Sequence, residues 1–178
     1  TITSSGTVLL EASGAVGASG AEIDLAATGT VRAQAGTNAY ISNTGAMSLG
    51  ASSAVGVMSV TNAGTVNITG AVSAGTTGSV SITATGANND ITVGNTITAG
   101  TVSGSVTLIA TGNVAVNFTV TTTDGAVVIT ADSDGSGAGS FSVADGVTVT
   151  AGGANNMTVT AADVTLTDDA TNRVYLHT

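Results

Sequence analysis

The chain has 178 residues, of which 42 % are hydrophobic and only 7 % charged, and its formal charge is −9. That balance excludes disorder, which needs little apolar content and much charge. Thr, Ser, Gly or Asn also interrupts every apolar run well before the roughly 20 residues a membrane helix requires. The only basic side chains are Arg32 and Arg173, with no Lys and no Cys, so nucleic acid and anionic membrane surfaces, which need clustered cations, are excluded as partners.

In chain order, the predicted elements are strands built on one recurring unit: Gly, a small residue, a β-branched residue, a small polar one, then an aliphatic one. It reads GTVLLEASG at 6–14, AEIDLAATG at 21–29, GSVSITATG at 78–86 and GSVTLIATG at 104–112, with a weaker copy, GAVVITADS, at 125–133. Longer matches keep the hydrophobic phase: 71–86 parallels 96–112, and GANNDITV (86–93) parallels GANNMTVT (153–160). Between these units, short runs such as Val66-Asn67-Ile68, Ile91-Thr92-Val93 and Val147-Thr148-Val149 alternate apolar with polar. This period of two buries one face of a strand and wets the other. Val, Ile and Thr suit a pleated surface, and Gly, Asn and Asp punctuate the runs with turn chemistry. No charged face recurs at helical spacing, so no helix is predicted.

The spacing groups the strands in threes, with equivalent coil starts at Gly78, Gly104, Gly125 and near Asn155. The stretch 45–77 fits one long coil or two poor ones. Four aromatics, Tyr40, Phe118, Phe141 and Tyr175, are too few for a sandwich core, whereas a thin stack of Val, Ile, Leu and Ala can fill a solenoid. Phe118 and Phe141 are both expected in that core. The fold expected is therefore a right-handed parallel β-solenoid (β-helix), with about three short strands per coil and about seven coils. It forms a single segment over 1–178, about 34 Å long at the usual strand spacing, and is read as part of a longer repetitive chain.

The GxVxI/LxAxG coils, the scarcity of Lys and Cys and the richness in Thr, Gly, Ala and Asn resemble the shafts of filamentous-haemagglutinin-like bacterial adhesins. They also resemble autotransporter passenger domains. The resemblance runs from about Gly6 to Leu166 and is one of pattern, without a single diagnostic motif. It implies a right-handed β-helix exported to the cell surface and acting as an adhesin or extracellular fibre. Its partners would be host or cell-surface ligands, or further copies of itself.

Few residues carry chemistry. Asp132 and Asp134, in DSDGSG, resemble a fragment of a calcium loop, with Asp124 and Asp145 as possible additional ligands. Calcium takes about six to eight oxygen ligands, and an EF-hand would place Glu where Val143 stands. The alternative is a solvated turn. Asp163, Asp168 and Asp169 could pair for glycoside hydrolysis, but one His, at 177, and no Lys leave no general base for the abundant Ser and Thr and no partner for an acidic glycan. The chain is read as non-catalytic and without a cofactor other than this candidate Ca2+. Thr-x-Thr pairs recur at 96/98, 119/121, 148/150, 158/160 and 165/167, as in ice-binding solenoids, although unequal coil lengths argue against one flat array. Asn88-Asn89 and Asn155-Asn156 are expected to stack as corner ladders. The function expected is a structural or adhesive segment of a secreted or cell-surface protein. The alternative is a filament subunit that stacks end to end or exchanges a donor strand.

Overall fold

The structure, a computed structural model, describes residues 1–167 and the backbone of 175–177. Among them there is no helix, and short strands follow one another around a closed path. The first two coils each supply two strands: β1 (Ile2–Ser4) and β2 (Val8–Ala12), then β3 (Ile23–Ala27) and β4 (Thr30–Ala35). Three-stranded coils follow. The third holds β5 (Ala39–Thr44), β6 (Met47–Leu49) and β7 (Ser52–Ala54), and the fourth β8 (Met58–Ala63), β9 (Val66–Ile68) and β10 (Val72–Ala74). The fifth holds β11 (Val80–Ala84), β12 (Ile91–Val93) and β13 (Ile97–Ala99), and the sixth β14 (Val106–Ala110), β15 (Val114–Val116) and β16 (Val120–Thr122). β17 (Val127–Thr130), β18 (Ser140–Val143) and β19 (Thr148–Thr150) form the seventh. β20 (Met157–Thr160), β21 (Asp163–Leu166) and β22 (Tyr175–His177) form the last.

Every strand pairs in parallel with its equivalent one coil away. The first face stacks eight strands in the order β1-β3-β5-β8-β11-β14-β17-β20, hence seven steps. The second face runs β2-β4-β6-β9-β12-β15-β18-β21, and the third β4-β7-β10-β13-β16-β19-β22. The fold is thus the parallel β-solenoid expected, and the starts at Gly78, Gly104, Gly125 and Asn155 each lie just before a first-face strand. The stretch 45–77 resolves as the end of the third coil and most of the fourth.

Two repeat copies differ from their expected equivalence. GTVLLEASG forms β2, on the second face, whereas the other four copies form β3, β11, β14 and β17 on the first. GANNDITV leads into β12 on the second face and GANNMTVT into β20 on the first. The same local sequence makes a corner followed by a strand wherever it falls, so likeness of sequence does not fix the face.

The core is a set of columns. On the first face, Ile41, Val60, Ile82, Leu108 and Ile129 stack in consecutive register. On the second, Met47, Val66, Ile91, Val114 and Phe141 do so. All ten are buried, and each such side chain contributes about 1.5–3 kcal/mol by leaving water. Phe141 fills the core as expected, but Phe118 is 50 % exposed, because it lies in the corner between β15 and β16 and not in a strand.

Coil length varies without disturbing the columns. Met58, Val80, Val106, Val127 and Met157 are register equivalents, giving successive coils of 22, 26, 21 and 30 residues. The extra residues sit in corners, the longest in these four coils being 131–139. Where β4 runs straight, Thr30 and Val31 pair with β6 while Gln34 and Ala35 pair with β7. The next coil turns a corner opposite its middle, so Ala33 pairs with Leu10 in the coil before but with no strand residue in the coil after. The buried Ser52 hydroxyl accepts the Ala33 N–H at 3.0 Å and donates to the Gly50 carbonyl at 2.9 Å.

Other corners are tied by side chains as well. Asn43 accepts from the Ala27 N–H at 2.8 Å and donates to Asn62 Oδ1 at 2.7 Å, while Asn62 donates to the Gly64 carbonyl at 2.7 Å. Both Asn residues are buried in an otherwise apolar column that continues to Ala84 and Ala110. At the entry to the second face, each side chain receives the backbone N–H one coil on: Thr65 from Asp90 at 3.4 Å, Asp90 from Asn113 at 2.7 Å, and Asn113 from Ser140 at 2.9 Å. The ladders thus use these residues, and the expected Asn88-Asn89 and Asn155-Asn156 pairs lie at two different corners and do not stack on each other. Asn88 instead adopts φ 54°, a conformation Asn tolerates better than most residues. Replacing Asn43 by Ala leaves the buried Ala27 N–H and Asn62 carboxamide short of a partner. Urea unfolding should register a loss of about 1–3 kcal/mol, and an unchanged midpoint would contradict the ladder.

Candidate functional site

Of the candidate calcium residues, Asp132 and Asp134 share one corner of the coil, and the two additional acids lie at other corners. Asp124 lies at the corner before β17, Asp132 and Asp134 at the corner after it, and Asp145 at the corner between β18 and β19. Among the described residues, no group of three His, Cys, Asp or Glu side chains is placed to hold a metal.

Asp132 is instead the organiser of its own loop. It adopts φ 58°. Its Oδ1 accepts from the Ser136 hydroxyl at 2.9 Å, and both carboxylate oxygens receive the Gly137 N–H at 3.0 Å. Asp134 Oδ1 accepts the Ser136 N–H at 3.2 Å. The long corner therefore folds around these carboxylates, and a cation at Asp132 would have to compete with the Ser136 and Gly137 donors. Asp124 is likewise engaged, accepting from Asn155 Nδ2 at 2.9 Å.

The Ser136 hydroxyl, then the backbone N–H groups of Gly137, Ala138 and Ser136, lower the Asp132 pKa from its ordinary 3.8, with desolvation opposing. Because the folded value is depressed, its contribution is complete above the ordinary value and is lost as pH falls through the folded one. The Gly137 amide resonance should titrate with a midpoint below 3.8. Asp132→Ala should abolish that step while leaving the thermal midpoint near wild type, since the loop is an exposed corner. A midpoint at or above the ordinary value contradicts the assignment.

Of the carboxylates considered for glycoside cleavage, Asp163 alone is among the described residues. Asp163 is exposed at the start of β21, its Oδ1 receiving the Val164 N–H at 2.9 Å. Asp168 and Asp169 lie outside the described residues. His177 belongs to β22, where its backbone pairs with Thr150. Two open depressions, of about 320 and 330 Å³, flank Glu11 at the N-terminal end and bring together one carboxylate, several backbone segments and no base.

The third face carries an ordered surface whose continuity the sequence reading discounted. Ile97, Val120 and Val149 stack in register although separated by 23 and 29 residues. Consequently Thr96, Thr119 and Thr148 form one outward column, and Thr98, Thr121 and Thr150 a second, parallel column. The second column continues through Ser73 and Ser53. The unequal coil lengths that argued against an array are absorbed in the corners at 123–126 and 131–139. Thr158 and Thr160 lie on the first face and Thr165 on the second, so those two Thr-x-Thr pairs do not extend it. The signal in the sequence was the recurrence of the Thr pairs; the missing knowledge was which residues are corner.

No protein-family model, curated protein or solved structure matches the chain.

Proposed function

We propose that the chain is a non-catalytic shaft segment of a secreted or cell-surface bacterial protein, with a structural and adhesive role. The observation that carries this reading is the continuity of its apolar columns out to both ends of the stack. Ile2, the column neighbour of Leu25, is 46 % exposed; Val164 and Leu166, which stack on Phe141 and Val143, are 51 % and 44 % exposed. The interior is thus one continuous, predominantly apolar stack along the described coils, as a load-carrying shaft requires. Apolar inside and hydroxyl-rich outside, with the acids of the described residues distributed over strands and corners along the stack, the coil supplies length and surface. The sequence resemblance to filamentous-haemagglutinin-like shafts and autotransporter passengers supports the same reading and the extracellular location. An antibody raised against the purified chain should label intact cells of the producing organism. Labelling that appears only after permeabilisation overturns the proposal.

A second reading is favoured by the same ends: a filament subunit whose copies stack head to tail. Terminal strands present free backbone donors and acceptors, a template for another strand, and the near-absence of basic residues does little to blunt them. On this reading, sedimentation velocity shows mass rising with concentration, and Val164→Asp with Leu166→Asp returns the protein to monomer. A wild-type chain that stays monomeric at high concentration removes the filament and leaves the shaft.

A further inference from the structure

We propose that the third face of the solenoid binds ice, through the six threonines of β13, β16 and β19 and the residues just before them. This surface is independent of whether the rod serves as a shaft or a filament.

The argument starts from spacing. Parallel strands repeat at about 4.8 Å, and residues two apart on one strand lie about 6.6 Å apart on the same side. The in-register pairs Thr96/Thr98, Thr119/Thr121 and Thr148/Thr150 therefore set hydroxyl and methyl groups on a rectangular mesh of these two dimensions. The prism face of hexagonal ice presents oxygen atoms on a mesh of nearly the same dimensions. A ligand that repeats on such a mesh can be met by several residues at once, and an irregular one cannot.

Side-chain stiffness comes second. Threonine is branched at Cβ and strongly restricted in χ1 on a strand, so stacked threonines hold their hydroxyls and methyls in a common direction before any ligand arrives. Little rotamer entropy remains to be lost on docking. Thr98, Thr119, Thr121, Thr148 and Thr150 make no side-chain hydrogen bond within the described residues, whereas Thr122, on the same strand as Thr121 but facing inward, donates to the Gly125 carbonyl. The outward hydroxyls are thus available to water, and ordered water can bridge two surfaces almost as well as a direct hydrogen bond.

The third consideration is charge. Fixed charges would bind disordered counterions and hold a strongly oriented hydration shell incompatible with a neutral lattice. The six threonines with Ser73 and Ser53 include no ionisable residue, although the chain carries eleven acids; the second column meets one only beyond this stretch, at Glu11 past Gln34 and at His177 past Thr150. The nearest acids in sequence, Asp124 and Asp145, stand in corners outside the columns. The first face also bears many hydroxyls, but Ile109 and Val128 interrupt its two outward columns, which makes it an internal control.

The test is thermal hysteresis and ice-recrystallisation inhibition by the purified chain, alongside Thr121→Tyr at the centre of the array and Thr83→Tyr on the first face. Circular dichroism establishes that each variant keeps its strands. Wild type and Thr83→Tyr should shape and arrest ice crystals, and Thr121→Tyr should lose most of that activity. Should Thr121→Tyr unfold, the isosteric Thr121→Val takes its place, with a partial loss expected. A folded wild-type chain that neither depresses freezing nor inhibits recrystallisation overturns the proposal. So does an equal effect of the two Tyr variants, or retention on crystalline cellulose without any action on ice.

Discussion

Everything in this molecule hangs on the parallel hydrogen bonding of each coil to the next in unshifted register. A strand of three to six residues has no stability alone; it persists because neighbours above and below satisfy its N–H and C=O groups and continue its apolar column. The register imposes a rule on the interior: whatever stands at a column position must fit between its equivalents one coil away. Val, Ile, Leu and Ala obey the rule interchangeably. Polar residues obey it only when they carry their own partners, as Asn43 and Asn62 do by bonding to each other and to the backbone of the bend.

The same rule leaves two regions free. Corners can lengthen, since a residue added there displaces no column; the long corner at 131–139 is tied to the neighbouring coils at its two ends, through Ala110, Gly112, Thr160 and Ala162, and its middle is gathered by Asp132. Outward positions can take any strand-compatible residue, so their composition answers to solvent and to partners. Regularity in the threonine columns of the third face is therefore not a requirement of folding. Val128 and Ile109 occupy outward positions on the first face with the column structure intact.

Much of the architecture was legible because periodicity records burial directly. The alternation at Val80-Ser81-Ile82 and Val106-Thr107-Leu108 announces both the strand and its inward face, and the repeated glycines announce the coil start. Face assignment was less legible: GTVLLEASG and AEIDLAATG read alike, yet β2 and β3 lie on different faces, because a short strand carries no mark of which neighbour will pair with it. Corner ties were illegible for a related reason. A Thr-Asp-Asn-Ser ladder is spread over 65, 90, 113 and 140, and only knowledge of coil length brings those positions together. The placing of the acids around Asp132 and Asp134 was illegible for the same reason, since Asp124 and Asp145, close along the chain, stand at other corners of the coil.

Coil-by-coil stacking also fixes how the rod answers a pull along the chain. Each coil touches only the coils on either side of it, as in other solenoids. Tension at an end is then borne by the terminal coil alone, which unzips while the rest stays folded. The 22-residue coil that starts at Met58 occupies about 4.8 Å of the rod but would pay out roughly 75 Å of chain when drawn straight. A short, stiff body thus stores many times its own length as releasable slack, delivered one coil at a time.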